Sequence, residues 1–166
     1  MEFEVDVSGE DIFNEGYTIV VADRNSIVKG FKFTRALIQV LRSRYGEGTY
    51  RYPSSHQGKA LFRVRIYCVA VYEILKTLKE EGKIKNQEIS LRICKDFQGH
   101  ERDITSNLKP LLEKLGLKIS KPVYQKLSRD SPADQYAYLM RKDNKNLMKE
   151  YIHISLDEFE KYLRKK

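Results

Sequence analysis

The sequence predicts an α/β domain, a sheet flanked by helices, on three observations. Segments alternating apolar and polar residues with the period of a strand open the chain. Segments of helical period with recognisable caps and stops follow them. Strand and helix patterns then alternate toward the end, as in a chain that lays helices over a sheet. At 166 residues, the whole of 1–166 fits one domain able to bury its own core.

The first strand lies in "EFEVDVSGED", residues 2 to 11, where Phe3, Val5 and Val7 alternate with Glu4, Asp6 and Ser8. Asp is depleted in strands, and a buried carboxylate is costly unless paired, hydrogen-bonded or metal-bound. Asp6 therefore has two readings, a residue on the wet face of an edge strand or a functional acid. "YTIVVADRN" and "SIVKGFKF" are the second and third strands, joined by a turn at Asp23, Arg24, Asn25 and Ser26 into an antiparallel meander. Thr34 caps a helix over "RALIQVLRSRY", with Ala36, Leu37, Val40 and Leu41 on one face.

Residues 45 to 59, "YGEGTYRYPSSHQGK", lack aliphatic side chains and read as a long loop. Residues 60 to 82 read as one buried helix ending at Gly82. "EISLRICKDF" is a fourth strand, with Ile89, Leu91 and Ile93 opposite Ser90, Arg92, Cys94 and Asp96. "TSNLKPLLEKLG" is a helix stopped at Gly116, and "LKISKPVYQKL" a short fifth strand interrupted by Pro122. In "SPADQYAYLMRKD", Ser131 at the N-cap and Pro132 at the first helical position start a helix. The tail pairs a strand, "YIHIS", with a helix opened by the capping box in "SLDE".

Composition narrows the function. With 41% hydrophobic and 33% charged residues, no apolar run of membrane-spanning length and no signal-peptide pattern, a cytoplasmic protein is expected. Cys68 and Cys94 have no metal-site spacing and read as buried thiols. The net charge of +8 is regional: residues 24 to 65 hold ten Lys or Arg against Glu47 alone, and the remainder is nearly neutral. Such a block favours a polyanion, and nucleic acid is the expected partner. Arg42, Arg44, Arg51, Lys59, Arg63 and Arg65 would neutralise phosphates, Tyr45, Tyr50 and Tyr52 would stack on bases, and His56 would touch a phosphate. "SSHQGK" lacks the glycine spacing of a phosphate loop, which argues against nucleotide hydrolysis.

Three carboxylates stand at recurring places: Asp6 in the first strand as "DVSG", Asp96 after the fourth as "LRICKDF", and Asp134 opening a late helix as "SPADQYAYL". In this order of elements the chain, over residues 2 to 141, resembles the ribonuclease H-like superfamily of nucleases, resolvases and transposases. The resemblance implies a five-stranded mixed sheet with parallel first and fourth strands side by side. It also implies a basic insertion at about 34–59 and a short strand-helix extension at about 144–166. By the same resemblance, Asp6, Asp96 and Asp134 would ligate Mg²⁺ or Mn²⁺ for phosphodiester cleavage, with Asp6 bridging two ions. The family's additional helical Glu is missing near Arg65 to Cys68; Glu73 is the nearest substitute on that helix, and Glu101 or Asp11 could contribute from loops. Simpler roles stand beside these: a turn acid for Asp96, a helix cap for Asp134, a salt-bridge partner for Glu73. The expected function is nucleic-acid binding with metal-dependent nuclease activity, and the alternative is a noncatalytic nucleic-acid-binding or scaffold protein on the same fold.

Overall fold

The computed structural model describes residues 1–25, 27–85 and 87–163. Ser26, in the predicted hairpin turn, and the last three residues of the predicted extension lie outside them. The strands are β1 (Glu2–Ser8), β2 (Thr18–Ala22), β3 (Val28–Lys32), β4 (Glu88–Ile93), β5 (Lys118–Ile119) and β6 (Val123–Tyr124). The helices are α1 (Arg35–Gly46), α2 (His56–Glu80), α3 (Glu101–Glu113), α4 (Pro132–Lys142) and α5 (Leu156–Glu160).

The sheet runs in the order β3-β2-β1-β4-β5, with β6 also on β4. β1, β2 and β3 form the predicted antiparallel meander, while β4 lies parallel to β1 and both β5 and β6 lie parallel to β4. The predicted fifth strand is thus two two-residue pieces around Pro122, because proline supplies no N–H to continue a ladder. β1 is not an edge strand. It is central, and Phe3, Glu4, Val5 and Asp6 are all buried, so the half-wet face expected for it does not exist.

Helices cover both faces, which is why. On one side α2 crosses the sheet and packs on α3 and α5, and its apolar residues surround the helix because partners surround it. On the other side α4 lies across β1 and β2, seating Ala133, Ala137 and Met140 on Val20, Ala22 and Val28. Gly30 permits that approach: a Cβ there would lie 2.8 Å from the Met140 methyl and 3.0 Å from the Ile19 carbonyl.

Three local expectations change. The α1 face toward the core is Ile38 and Leu41, with Leu37 and Val40 only half-buried and Ala36 exposed. The 45–59 loop is shorter, since α1 runs to Gly46 and Ser55 caps α2 at His56. Gly58 serves packing in that first turn, because a Cβ would sit 2.0 Å from the Pro53 carbonyl oxygen. "YIHIS" forms one bridge, Tyr151 to Gly30, rather than a strand, whereas the Ser155–Glu158 capping box of α5 is present. No helix among the described residues is long and apolar enough to cross a membrane.

Candidate metal and nucleic-acid site

The parallel pairing of β1 and β4 builds the site. Val5 stands opposite Ile93, and the Cys94 N–H donates to the Val5 carbonyl at 3.0 Å, so the ladder carries Asp6 and Cys94 side by side. The chain then turns, the Asp96 N–H donating to the Cys94 carbonyl at 3.0 Å. One ligand atom from each of Asp6, Cys94 and Asp96 lies within 4.8 Å of the others. The cluster sits at the carboxyl ends of adjacent parallel strands, where open α/β sheets place ligands.

Asp134 joins from α4. Ser131 caps that helix by accepting from the Asp134 N–H at 3.4 Å, and its hydroxyl donates at 3.0 Å to Oε1 of buried Glu4 on β1. Arg24 pairs with the same Glu4 carboxylate at 3.5 Å. Two residues along β1 from Glu4, on the same face, Asp6 hydrogen-bonds the Asp134 carboxyl. Asp134 is therefore both first-turn acid of α4 and neighbour of Asp6, standing outside the Asp6, Cys94 and Asp96 group, and the cap anchors its helix to the strand bearing Asp6.

Crowding sets the protonation. Asp6 is 4% exposed, and burial, the hydrogen bond to Asp134 and the charge of Asp96 push its pKa up to about 7. The Val7 N–H, donating at 2.8 Å, and the Cys94 thiol oppose that rise. Asp96 stands at the open rim, yet the protein packed around its other sides raises its pKa too. Burial and the two carboxylates push the Cys94 thiol up, so it stays protonated, with a single S–H to share between the two acids. The neighbouring Tyr17 phenol is raised by burial and by the charges of Asp96, Asp11 and Asp6.

The carboxylates of Asp6 and Asp96, with that of Asp134 against Asp6, are hard-oxygen donors of the kind Mg²⁺ and Mn²⁺ take. The residues fit such an ion, with the protonated Cys94 sulfur as neighbour rather than ligand. Cys94 was the feature missed from sequence. Its signal was positional, two residues before Asp96 on the polar face of the fourth strand.

Glu73 is not part of the cluster. It is buried toward the other end of α2, where burial raises its pKa and its charged neighbours are Lys76, Glu158 and Glu80. Ten residues of helix, about 15 Å, separate it from Arg63. Arg63 borders a hollow of about 210 Å³ beside the cluster, lined also by Gly9, Asp11, Tyr17 and Asp96. There the Arg63 guanidinium pairs with Asp11 at 3.4 Å, while its buried Nε has no hydrogen-bond partner among the described residues. Of the two loop acids, Asp11 thus stands at the site's edge, and Glu101 opens α3.

The basic block disperses on folding. Arg24, Lys29, Arg35, Arg44 and Arg63 pair with Glu4, Glu81, Glu15, Glu160 and Asp11. Arg65 lies along the structure, donating to Asn107 at 2.9 Å and to the Tyr162 carbonyl at 3.1 Å. Tyr50 offers no face to a base: it is 1% exposed and donates to Glu160 at 2.9 Å. Tyr45 stacks on Phe62 at 4.6 Å between centroids, and Tyr52 tilts against the same ring. Arg42, Arg51, His56 and Lys59 remain exposed, with Arg51 resting over Tyr52. Half of the run of like charges is thereby taken up in ion pairs, because those partners lie elsewhere in the chain.

No family model, no curated protein and no solved structure matches this chain.

Proposed function

We propose that this chain is a ribonuclease H-like domain that binds nucleic acid and hydrolyses its phosphodiester bonds with a divalent metal. The observation carrying the reading is the approach of Asp6 and Asp96 at the carboxyl ends of the two central parallel strands, with Asp134 of α4 against Asp6. The strand order β3-β2-β1-β4-β5 supports the same superfamily.

Asp6, Asp96 and Asp134 would hold the ion, with Asp6 central because it touches both neighbours. Bound there, Mg²⁺ or Mn²⁺ supplies Lewis-acid activation of water and charge stabilisation on the leaving oxygen. The chain contributes the rest. Glu4 and Ser131 fix the helix that carries Asp134. The Cys94 thiol, with one proton to give, hydrogen-bonds one of Asp6 and Asp96 at a time. Asp6, with a pKa near 7, releases its proton on metal binding at neutral pH.

One observation favours a noncatalytic nucleic-acid-binding role instead: Glu73 does not reach the cluster, which leaves three carboxylates and no helical fourth. Incubating labelled single-stranded and duplex DNA and RNA with the protein and Mn²⁺ separates the readings. Cleavage lost in Asp6→Asn supports the nuclease. Tight binding without cleavage supports the binding module.

A further inference from the structure

A second hollow, about 670 Å³, opens on the other side of the acids. Its walls are Val7 and Ser8 at the end of β1, Asp134, Gln135, Tyr138 and Leu139 on α4, and Arg129. Tyr138 is 57% exposed and Leu139 49%, on a helix whose opposite face is fully buried. Large side chains exposed together at a concavity mark a binding surface. Two cations stand beside them, with Asp134 on the inner wall: Arg129 borders the hollow, and the Lys142 ammonium lies 5.7 Å from the centre of the Tyr138 ring. Neither cation has an ion-pair partner among the described residues.

We propose that this hollow holds an unpaired nucleotide of a single-stranded polynucleotide, its base stacked on Tyr138 and its phosphate on Arg129, next to the phosphodiester at the acids. The proposal rests on the nucleic-acid reading above and adds the strandedness of the substrate and the residues that select it. A duplex keeps its base faces inside the stack and offers phosphates outside, so an exposed tyrosine face gains nothing from it. An unpaired base covers that face, and a guanidinium matches the following phosphate with paired N–H donors. Asp134 on the inner wall repels a phosphate until a cation neutralises it, so metal and strand bind together. A second copy of this chain is the other occupant, and the test below separates it.

The test is fluorescence anisotropy with labelled homopyrimidine 12-mers of DNA and RNA, and the matching duplexes, in Ca²⁺. Tyr138→Ala should weaken single-strand binding by roughly 5- to 100-fold, the range of one lost base stack. Tyr138→Phe, which keeps the aromatic face, should stay within about twofold of native. Arg129→Gln should weaken binding and flatten its salt dependence. Duplex binding should be weaker and indifferent to Tyr138→Ala. All three substitutions are at the solvent-facing positions 129 and 138, so circular dichroism should show intact folding. Native binding with no response to Tyr138→Ala, an equal loss on duplex, or a dimer that disappears in Tyr138→Ala would each overturn this proposal and leave the nuclease reading standing. No binding of any polynucleotide would overturn both.

Discussion

Replacing Asp6 by Asn removes a charge that the folded protein holds at a cost. Its carboxyl titrates near 3.8 in an unfolded chain and near 7 in the metal-free fold. The folded state therefore binds this proton more tightly. The stability it contributes is complete below about pH 4 and is lost as pH rises through 7. Between pH 5 and 8 the unfolded carboxyl is already ionised, while the folded one must give up its proton over about two pH units of uphill titration. At 1.36 kcal/mol per unit, native stability falls by about 2–3 kcal/mol across that interval from Asp6 alone. For a chain of this size that is about 5–10 °C in Tm. Asn has nearly the same shape, can donate to Asp134 and does not titrate. Urea unfolding of both proteins in EDTA at pH 5 and pH 8 measures the difference. The native protein should lose this increment relative to Asp6→Asn, and at pH 8 the variant should be the more stable. Equal changes with pH in the two proteins would refute the argument, because Asp6 would then not be a buried, crowded acid.

Other perturbations separate the roles assigned above. Ser131→Ala removes both the α4 cap and the bond to Glu4, leaving a buried carboxylate oxygen unsatisfied; a loss of about 2–3 kcal/mol in urea unfolding is expected. Gly58→Ala forces a methyl against the Pro53 carbonyl and should cost about 1–3 kcal/mol by the same assay, with single-strand affinity unchanged. Tyr50→Phe should lower stability by about 1–2 kcal/mol through the lost bond to Glu160 and leave nucleic-acid affinity intact. Glu73→Gln should leave the rate of any metal-dependent cleavage unchanged, since Glu73 lies toward the far end of α2 from the acids.

The sheet was legible because its strands carry strong local signals. Alternation in 2–8 and 88–93 marked β1 and β4, the β-branched run in 18–22 marked β2, and Ser131-Pro132 marked the start of α4. What alternation misled on was exposure: Glu4 and Asp6 look solvated by period, and only α4, distant in sequence, covers them. The position of Asp6 beside Cys94 follows from parallel register, which sequence does not encode locally. The basic block is legible only in part for a related reason. Charge density along the chain says nothing of the glutamates that tertiary contacts bring to it, and Tyr50 next to Arg51 looks like a loop aromatic until Glu160 and Phe62 enclose it. Tyr138 was passed over because helical period alone cannot say which tyrosine of "QYAYL" faces outward.

The central claim is that Asp6, Asp96 and Asp134 constitute one metal site, and titration of Mn²⁺ by calorimetry at pH 7.5 addresses it directly. The native protein should bind Mn²⁺ with release of a proton from Asp6, visible as a heat that changes with buffer ionisation enthalpy. Asp6→Asn should abolish that heat, and Mn²⁺ should raise the Tm of the native protein alone. Absence of binding at millimolar Mn²⁺, with and without a single-stranded oligonucleotide, would contradict the account.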